Sequence, residues 1–155
     1  MRKKNGARII IGVLISVLFC STFTIPAFSQ EAGTIKLHIN GLKTEQKGEL
    51  IIAVYDNEDD WLKPEKAVFK KILPLEADTM IVIFEDIPYA STYAVQIIHD
   101  KNKNGKFDMR TFPWPKPKEG AGLSNNTFRM GPPKYEKAQF ELNSAEKILQ
   151  INMRY

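Results

Sequence analysis

The stretch Thr92-Tyr93-Ala94-Val95-Gln96-Ile97-Ile98-His99-Asp100-Lys101-Asn102-Lys103-Asn104-Gly105-Lys106-Phe107-Asp108 runs from an apolar strand straight into a polar loop. Its first half places Tyr93, Val95 and Ile97 on one face, the period of two that marks a β-strand. Its second half sets oxygen-bearing side chains at Asp100, Asn102, Asn104 and Asp108 around Gly105. That order of residues is the front half of a calcium loop.

Outward from this stretch, short alternating runs recur along the chain. In 34–40, Ile35, Leu37 and Ile39 alternate with Thr34, Lys36 and His38. The run 49–55 is so apolar that both faces are expected to be covered. The runs 67–73 and 80–85 follow, and Lys70 and Lys71 suit an exposed sheet edge, where they discourage strand addition. After the long unpatterned segment 100–134, strands are expected at 136–142, with Ala138, Phe140 and Leu142 inward, and at 147–155. Seven short strands and no convincing helical period predict an all-β fold: a single seven-stranded antiparallel β-sandwich, transthyretin-like or immunoglobulin-like, with one long loop. Tyr155 ends the chain on an alternating strand, as in outer-membrane barrels. One such strand makes no barrel, and solvent-facing alternation accounts for the polar outer faces.

The first 29 residues read as a secretory signal peptide. Arg2, Lys3, Lys4 and Arg8 form its basic n-region, residues 9–23 its apolar core, and Ala27-Phe28-Ser29 a small-x-small cleavage site. The competing reading is an uncleaved N-terminal helix. Cys20 follows Phe19 rather than a small residue, which argues against lipidation. These 29 residues hold four of the 22 lysines and arginines and no acid, so the domain at 30–155 carries 18 basic against 18 acidic residues. Nothing in that balance points to nucleic acid, and no membrane insertion is expected after cleavage. The one cysteine leaves with the signal, removing disulfide, thiol and thiolate-metal chemistry. The expected location is periplasmic or extracellular. The domain is long enough to bury about two-thirds of its unfolded surface.

With Asp100 as position one of an EF-hand-type loop, Asn102 falls at three, Asn104 at five, Gly105 at the sharp turn at six, the Lys106 carbonyl at seven and Asp108 at nine. Thr111 stands where the closing bidentate glutamate belongs, and Glu119 is the candidate replacement. Lys101, Lys103 and Lys106 weaken such a site, so calcium affinity is expected in the ~10⁻⁴–10⁻³ M range of extracellular modules. The plainer alternative is a polar hairpin in which Asn104-Gly105 makes a tight turn and binds nothing.

Beyond this loop, prolines 113, 115 and 117 hold Trp114 on a semi-rigid stem, and Gly120 and Gly122 bend the chain towards Ser124-Asn125. Loops of this length in small domains are functional or disordered. Trp114, Ser124 and Asn125 are the candidate ligand contacts. Trp114 reads either as an aromatic platform for a sugar or protein partner, or as a cap folded over the core. For Trp61, beside the acidic cluster 56–60, a core cap is the expected role.

The run 93–100 with Asn102, Asn104-Gly105-Lys106 and Asp108 resembles the centre of a bacterial family catalogued as domain of unknown function 2141. Pro117-Lys118-Glu119-Gly120, Gly122, Leu123-Ser124-Asn125-Asn126, Gly131-Pro132-Pro133 and Ala138-Gln139-Phe140 extend the resemblance across essentially 34–155. The family comprises exported bacterial proteins without an established activity. The resemblance therefore implies export and one β domain, and implies that Asp100, Asn102, Asn104, Asp108 and Glu119 form one site. The chain departs from the family at Trp114-Pro115-Lys116-Pro117, where a plainer Gly-x-Pro segment is usual, and at Ala90-Ser91, where a turn glycine is common.

A triad of His99, Asp100 and Ser124 is disfavoured, because neighbours on a strand point to opposite faces. His99 is expected to bond loop backbone instead. His38 and His99 lack zinc-site spacing, and the 56–60 cluster reads as a solvated turn. The expectation is an exported binding or structural module of the cell envelope. Its partner would be an envelope protein or a glycan, and calcium would order the Trp114 loop. The alternatives are a carbohydrate-binding module and a metal-assisted hydrolase of an envelope polymer.

Overall fold

The computed structural model describes residues 31–89, 92–111, 113–128 and 131–155. The expected signal peptide at 1–29 lies outside the described residues, as do Ala90 and Ser91. The described chain is mostly β. Its strands are β1 (Ala32–Asn40), β2 (Glu49–Tyr55), β3 (Phe69–Pro74), β4 (Thr79–Pro88), β5 (Thr92–Asp100), β6 (Met109–Arg110), β7 (Lys116–Pro117), β8 (Gly120–Leu123), β9 (Phe140–Glu141) and β10 (Glu146–Asn152), with one helical turn, α1 (Tyr135–Ala138).

One sheet has the order β10-β1-β4 and the other β3-β2-β5-β8, with β9 paired to the start of β5. Both sheets contribute to one apolar core. Ile35, Leu37 and Ile39 of β1 join Val82 and Phe84 of β4, and these meet Leu50, Ile52 and Val54 of β2 and Val95 and Ile97 of β5. The period-two reading of these strands therefore holds, and β2 is covered on both faces as its composition implied. On the outer face of the second sheet, Ala53, Tyr55, Ala94 and Leu123 join Trp61, Tyr135 and Ala138 in a second cluster.

The seven-stranded antiparallel arrangement needs correction in three places. The described residues hold ten strands, and β6 and β7 form a separate two-stranded ribbon. β10 lies parallel to β1, with Thr34 opposite Glu146 and Asn40 opposite Asn152. The chain leaves the second sheet at β9 and re-enters the first beside the beginning of β1, where Thr34 N–H donates to the Ala145 carbonyl at 2.9 Å. Residues 136–138, expected to open a strand, instead belong to a helical turn over 135–138 that buries Tyr135 and Ala138 in the outer cluster. The inward set Ala138, Phe140 and Leu142 is nonetheless fully or nearly buried. β3 is an edge strand with exposed lysines, and Lys71 Nζ reaches across to the Ile83 carbonyl of β4.

Candidate functional site

The strand β5 carries Asp100 out of the core at its last residue, and the side chain has no exposed surface. A carboxylate buried so deeply must be satisfied by donors. Asp100 Oδ1 accepts Asn104 N–H at 3.2 Å, and Oδ2 accepts Gly105 N–H at 2.7 Å. The loop folds round this anchor through successive Asx-type bonds, from Asn104 N–H to Asn102 Oδ1 at 3.1 Å and from Lys106 N–H to Asn104 Oδ1 at 2.8 Å. Gly105 sits at φ 77, the left-handed conformation that a glycine adopts without steric cost. The two asparagine amides turn their nitrogens to one acceptor, Asp108 Oδ2, at 2.7 and 3.1 Å.

Glu119 completes the assembly. It is 3% exposed. Its Oε1 accepts Lys101 N–H at 2.9 Å and its Oε2 accepts Asp108 N–H at 3.0 Å. One carboxylate thus grips both ends of the 101–108 loop from the segment that follows the prolines. Lys118 N–H donates to the Asp108 carbonyl, and Lys101 Nζ donates to the Lys118 carbonyl, at 3.0 and 2.8 Å. The structure therefore brings together Asp100, Asn102, Asn104, Lys106 and Asp108, the five residues that position counting selected, with Glu119, the acid named in place of the missing closing glutamate.

As a cation site, the set matches by kind and order but not by present orientation. The oxygens of Asn102 and Asn104 face loop N–H groups, and their amide nitrogens face Asp108. An ion held by Asp108 and these amides would require both amides to turn over, releasing the N–H groups of Asn104 and Lys106. Among the described residues, no group of three or more His, Cys, Asp or Glu side chains is arranged to hold a metal.

Behind the clamp, the loop 41–48 closes against the end of β5. A side chain at Gly48, which sits at φ 142, would stand 2.5 Å from the Asp100 carbonyl oxygen. His99 is wholly buried and bonds loop backbone as expected, since its Nε2 lies 3.3 Å from the Lys47 carbonyl. A carbonyl can only accept, so Nε2 carries the proton and Nδ1 accepts from the Tyr155 hydroxyl at 2.9 Å. That hydroxyl also accepts Lys43 N–H at 3.1 Å. Burial raises the Tyr155 pKa, opposed by the Lys43 bond and assisted by Glu45. Tyr155 is the residue here that sequence reasoning missed. Its alternating position identified a strand face but not a partner so distant in the chain.

The other candidates stand apart from the clamp. Ser124 is fully buried. Its Oγ accepts Val95 N–H at 2.9 Å and donates to the Ala138 carbonyl at 2.6 Å, tying β5 to α1. Asn125 Nδ2 donates to the carbonyls of Lys137 and Gln139. These bonds give both residues a tying role inside the protein. His99, Asp100 and Ser124 each bond different partners and form no relay. Trp61 is the expected cap: it is buried, packs edge-on against Tyr55 and Tyr135, and donates Nε1–H to the Pro133 carbonyl at 2.9 Å. Trp114 is not a cap, being 78% exposed.

A family profile described as an uncharacterized protein conserved in bacteria (DUF2141) matches residues 37–150. The chain belongs to the DUF2141 family. The match runs through both sheets and the whole clamp. No curated protein and no solved structure matches this DUF2141 chain. Among its described residues, no helix is long and apolar enough to cross a membrane.

Proposed function

We propose that this DUF2141 chain is an exported binding module of the bacterial cell envelope. Its domain is read as a β-sandwich of transthyretin-like or immunoglobulin-like layout, secreted by the signal peptide at 1–29 into the periplasm or beyond. In this reading the clamp is a device for presenting the proline-rich segment that carries Trp114 to an envelope protein or a glycan. The observation that supports it is the double grip of Glu119 on Lys101 and Asp108. Two charge-assisted bonds to a buried glutamate hold the root of a loop whose tip exposes a tryptophan, and rigid roots with exposed aromatic tips suit recognition.

Calcium is the cation proposed for the clamp, with Asp100, Asn102, Asn104, the Lys106 carbonyl, Asp108 and Glu119 as its oxygens. Binding would couple to rotation of the two asparagine amides. The test is a melting curve in chelator and in millimolar calcium, with wild type and Asp100→Ala. A calcium-dependent rise in the wild type that the variant lacks is the expected result. Superimposable wild-type curves would sink the cation proposal and leave a clamp closed by hydrogen bonds alone.

The exposure of Trp114 also favours a narrower reading, a carbohydrate-binding module. Loss of retention on a glycan column in Trp114→Ala, at unchanged melting temperature, is the result that would select it. The hydrolase reading draws no support from the geometry, since Ser124 Oγ is enclosed by backbone and His99 is bonded to Tyr155 and Lys47.

A further inference from the structure

A groove of about 1190 Å³ opens on the outer face of the second sheet, bounded by Phe107 and Met109 on the clamp side and by Phe128 on the other. Its size exceeds the roughly 300–1,000 Å³ of ordinary ligand pockets, and apolar walls with few polar groups are the usual make-up of such sites. The polar groups here are specific. Gln96 lies on the floor, 4% exposed. Its Oε1 accepts the Tyr55 hydroxyl at 2.9 Å, which turns Nε2 to the groove, and Nε2 has no hydrogen bond among the described residues. Two unused amide donors that reach the groove from its floor suit an acceptor bound there.

A second donor stands on the same face. Arg154 bridges Ala121 on the edge of β8, and Gln96 lies opposite Leu123 on its other edge. Opposed residues share a face, so Gln96, Leu123, Ala121 and Arg154 all face the groove, with Gln96 and Arg154 on opposite sides of β8. The Arg154 guanidinium lies 4.6 Å from the centre of the Phe128 ring and has no carboxylate partner among the described residues. The charged lining is Lys63, Lys106 and Arg154 against Glu65 and Glu119, a surplus of one positive charge. That surplus complements a monoanion, and the two glutamates oppose a more highly charged head.

We propose that this groove binds an amphipathic monocarboxylate. The carboxylate sits over Ala121 and accepts from Arg154 and Gln96 Nε2. The apolar chain lies on Phe107, Met109, Leu123 and Phe128. This site goes beyond the envelope-module reading and requires no cation.

The test uses decanoate as the probe, below its micelle concentration, titrated into the folded protein by calorimetry. Decanol and acetate separate the contributions of chain and head. Saturable binding of decanoate is expected, with decanol and acetate each weaker by about tenfold or more. Arg154→Gln, at an exposed position, is expected to lose about tenfold in affinity with an unchanged melting temperature. Gln96→Glu keeps the acceptor for Tyr55 but sets a negative charge against the head, and is expected to abolish binding. Equal affinity for decanol and decanoate, parental affinity in Arg154→Gln, or no saturable binding of decanoate would overturn the proposal. Should Gln96→Glu fail to fold, Arg154→Gln and the probe comparison still decide.

Discussion

Asp108 N–H donates to Glu119 Oε2 at 3.0 Å, closing the clamp across a gap of eleven residues. The bond is charge-assisted and buried on the glutamate side, so removing the charge has a definite direction. Glu119→Gln retains one oxygen and turns an amide NH₂ against a backbone N–H. A part-buried donor then loses its acceptor, at a cost of about 1–3 kcal/mol. Denaturant unfolding is expected to register that loss. Hydrogen exchange at the Lys101 and Asp108 amides is expected to accelerate more than exchange in β1. Uniform acceleration across both sheets would mean that Glu119 supports the whole fold rather than the clamp.

A second link joins the C-terminus to the strand that carries the clamp. The Tyr155 hydroxyl donates to His99 Nδ1 and accepts from Lys43 N–H. Tyr155→Phe keeps the edge-on packing of the two rings, whose centres lie 5.6 Å apart, but leaves a wholly buried imidazole nitrogen without a donor. The expected loss is about 1–3 kcal/mol, the cost of an unmade buried hydrogen bond. His99→Phe in the same background should add less than it does alone, because the Tyr155–His99 bond is common to both changes, while the His99 bond to Lys47 is lost in either background. Full additivity in the double-mutant cycle would show that the bond contributes nothing.

Much of this was legible in the chain, and the gaps have physical causes. Alternation at Ile35-Leu37-Ile39 and Val95-Ile97 identifies core faces, because a strand must bury every second residue. It says nothing about direction, which is why the parallel pairing of β10 with β1 could not be foreseen. β8 consists of Gly-Ala-Gly-Leu, with no side-chain pattern to read. Tyr135-Glu136-Lys137-Ala138 is too short to display a helical period, and its fate is set by the outer cluster that receives Tyr135 and Ala138. Glu119 was within reach because an incomplete loop motif asks for one more acid nearby. The donors that Glu119 meets, two backbone amides, carry no sequence signal at all.

Tyr55, Tyr135 and Tyr155 should resist ionisation. Burial raises the pKa of Tyr55, Tyr135 and Tyr155 above the ordinary tyrosine value. Glu65 adds to the effect at Tyr55, and Asp56, Glu58 and Tyr93 add to it at Tyr135. The folded chain therefore holds these protons more tightly than the unfolded chain. Their contribution to stability is complete below about pH 10, where the unfolded tyrosines are still protonated, and is lost as pH climbs above it. Denaturant midpoints are expected to be insensitive to these groups at neutral pH and to fall on the alkaline side. Tyr55→Phe should start from a lower midpoint, having lost the bond to Gln96, and should decline less steeply. Tyrosinate absorbance rising in one step near pH 10, with the fold intact, would contradict this.

The two tryptophans offer a direct check on how the proline-rich loop is presented. Trp61 is buried between Tyr55 and Tyr135 with its Nε1–H on the Pro133 carbonyl, whereas Trp114 is 78% exposed. Emission should therefore separate into a blue-shifted component shielded from iodide and a red-shifted component that iodide quenches. Trp114→Phe is expected to remove the quenchable component and to change stability by no more than about 0.5 kcal/mol, the usual range for an exposed position away from a cap or a buried bond. Trp61→Phe should remove the shielded component and, by leaving a void and an unpaired Pro133 carbonyl beside Tyr135, cost about 1–3 kcal/mol. A shielded Trp114 in solution would mean that the tip folds back onto the protein, and the presentation of that side chain to a partner would have to be abandoned.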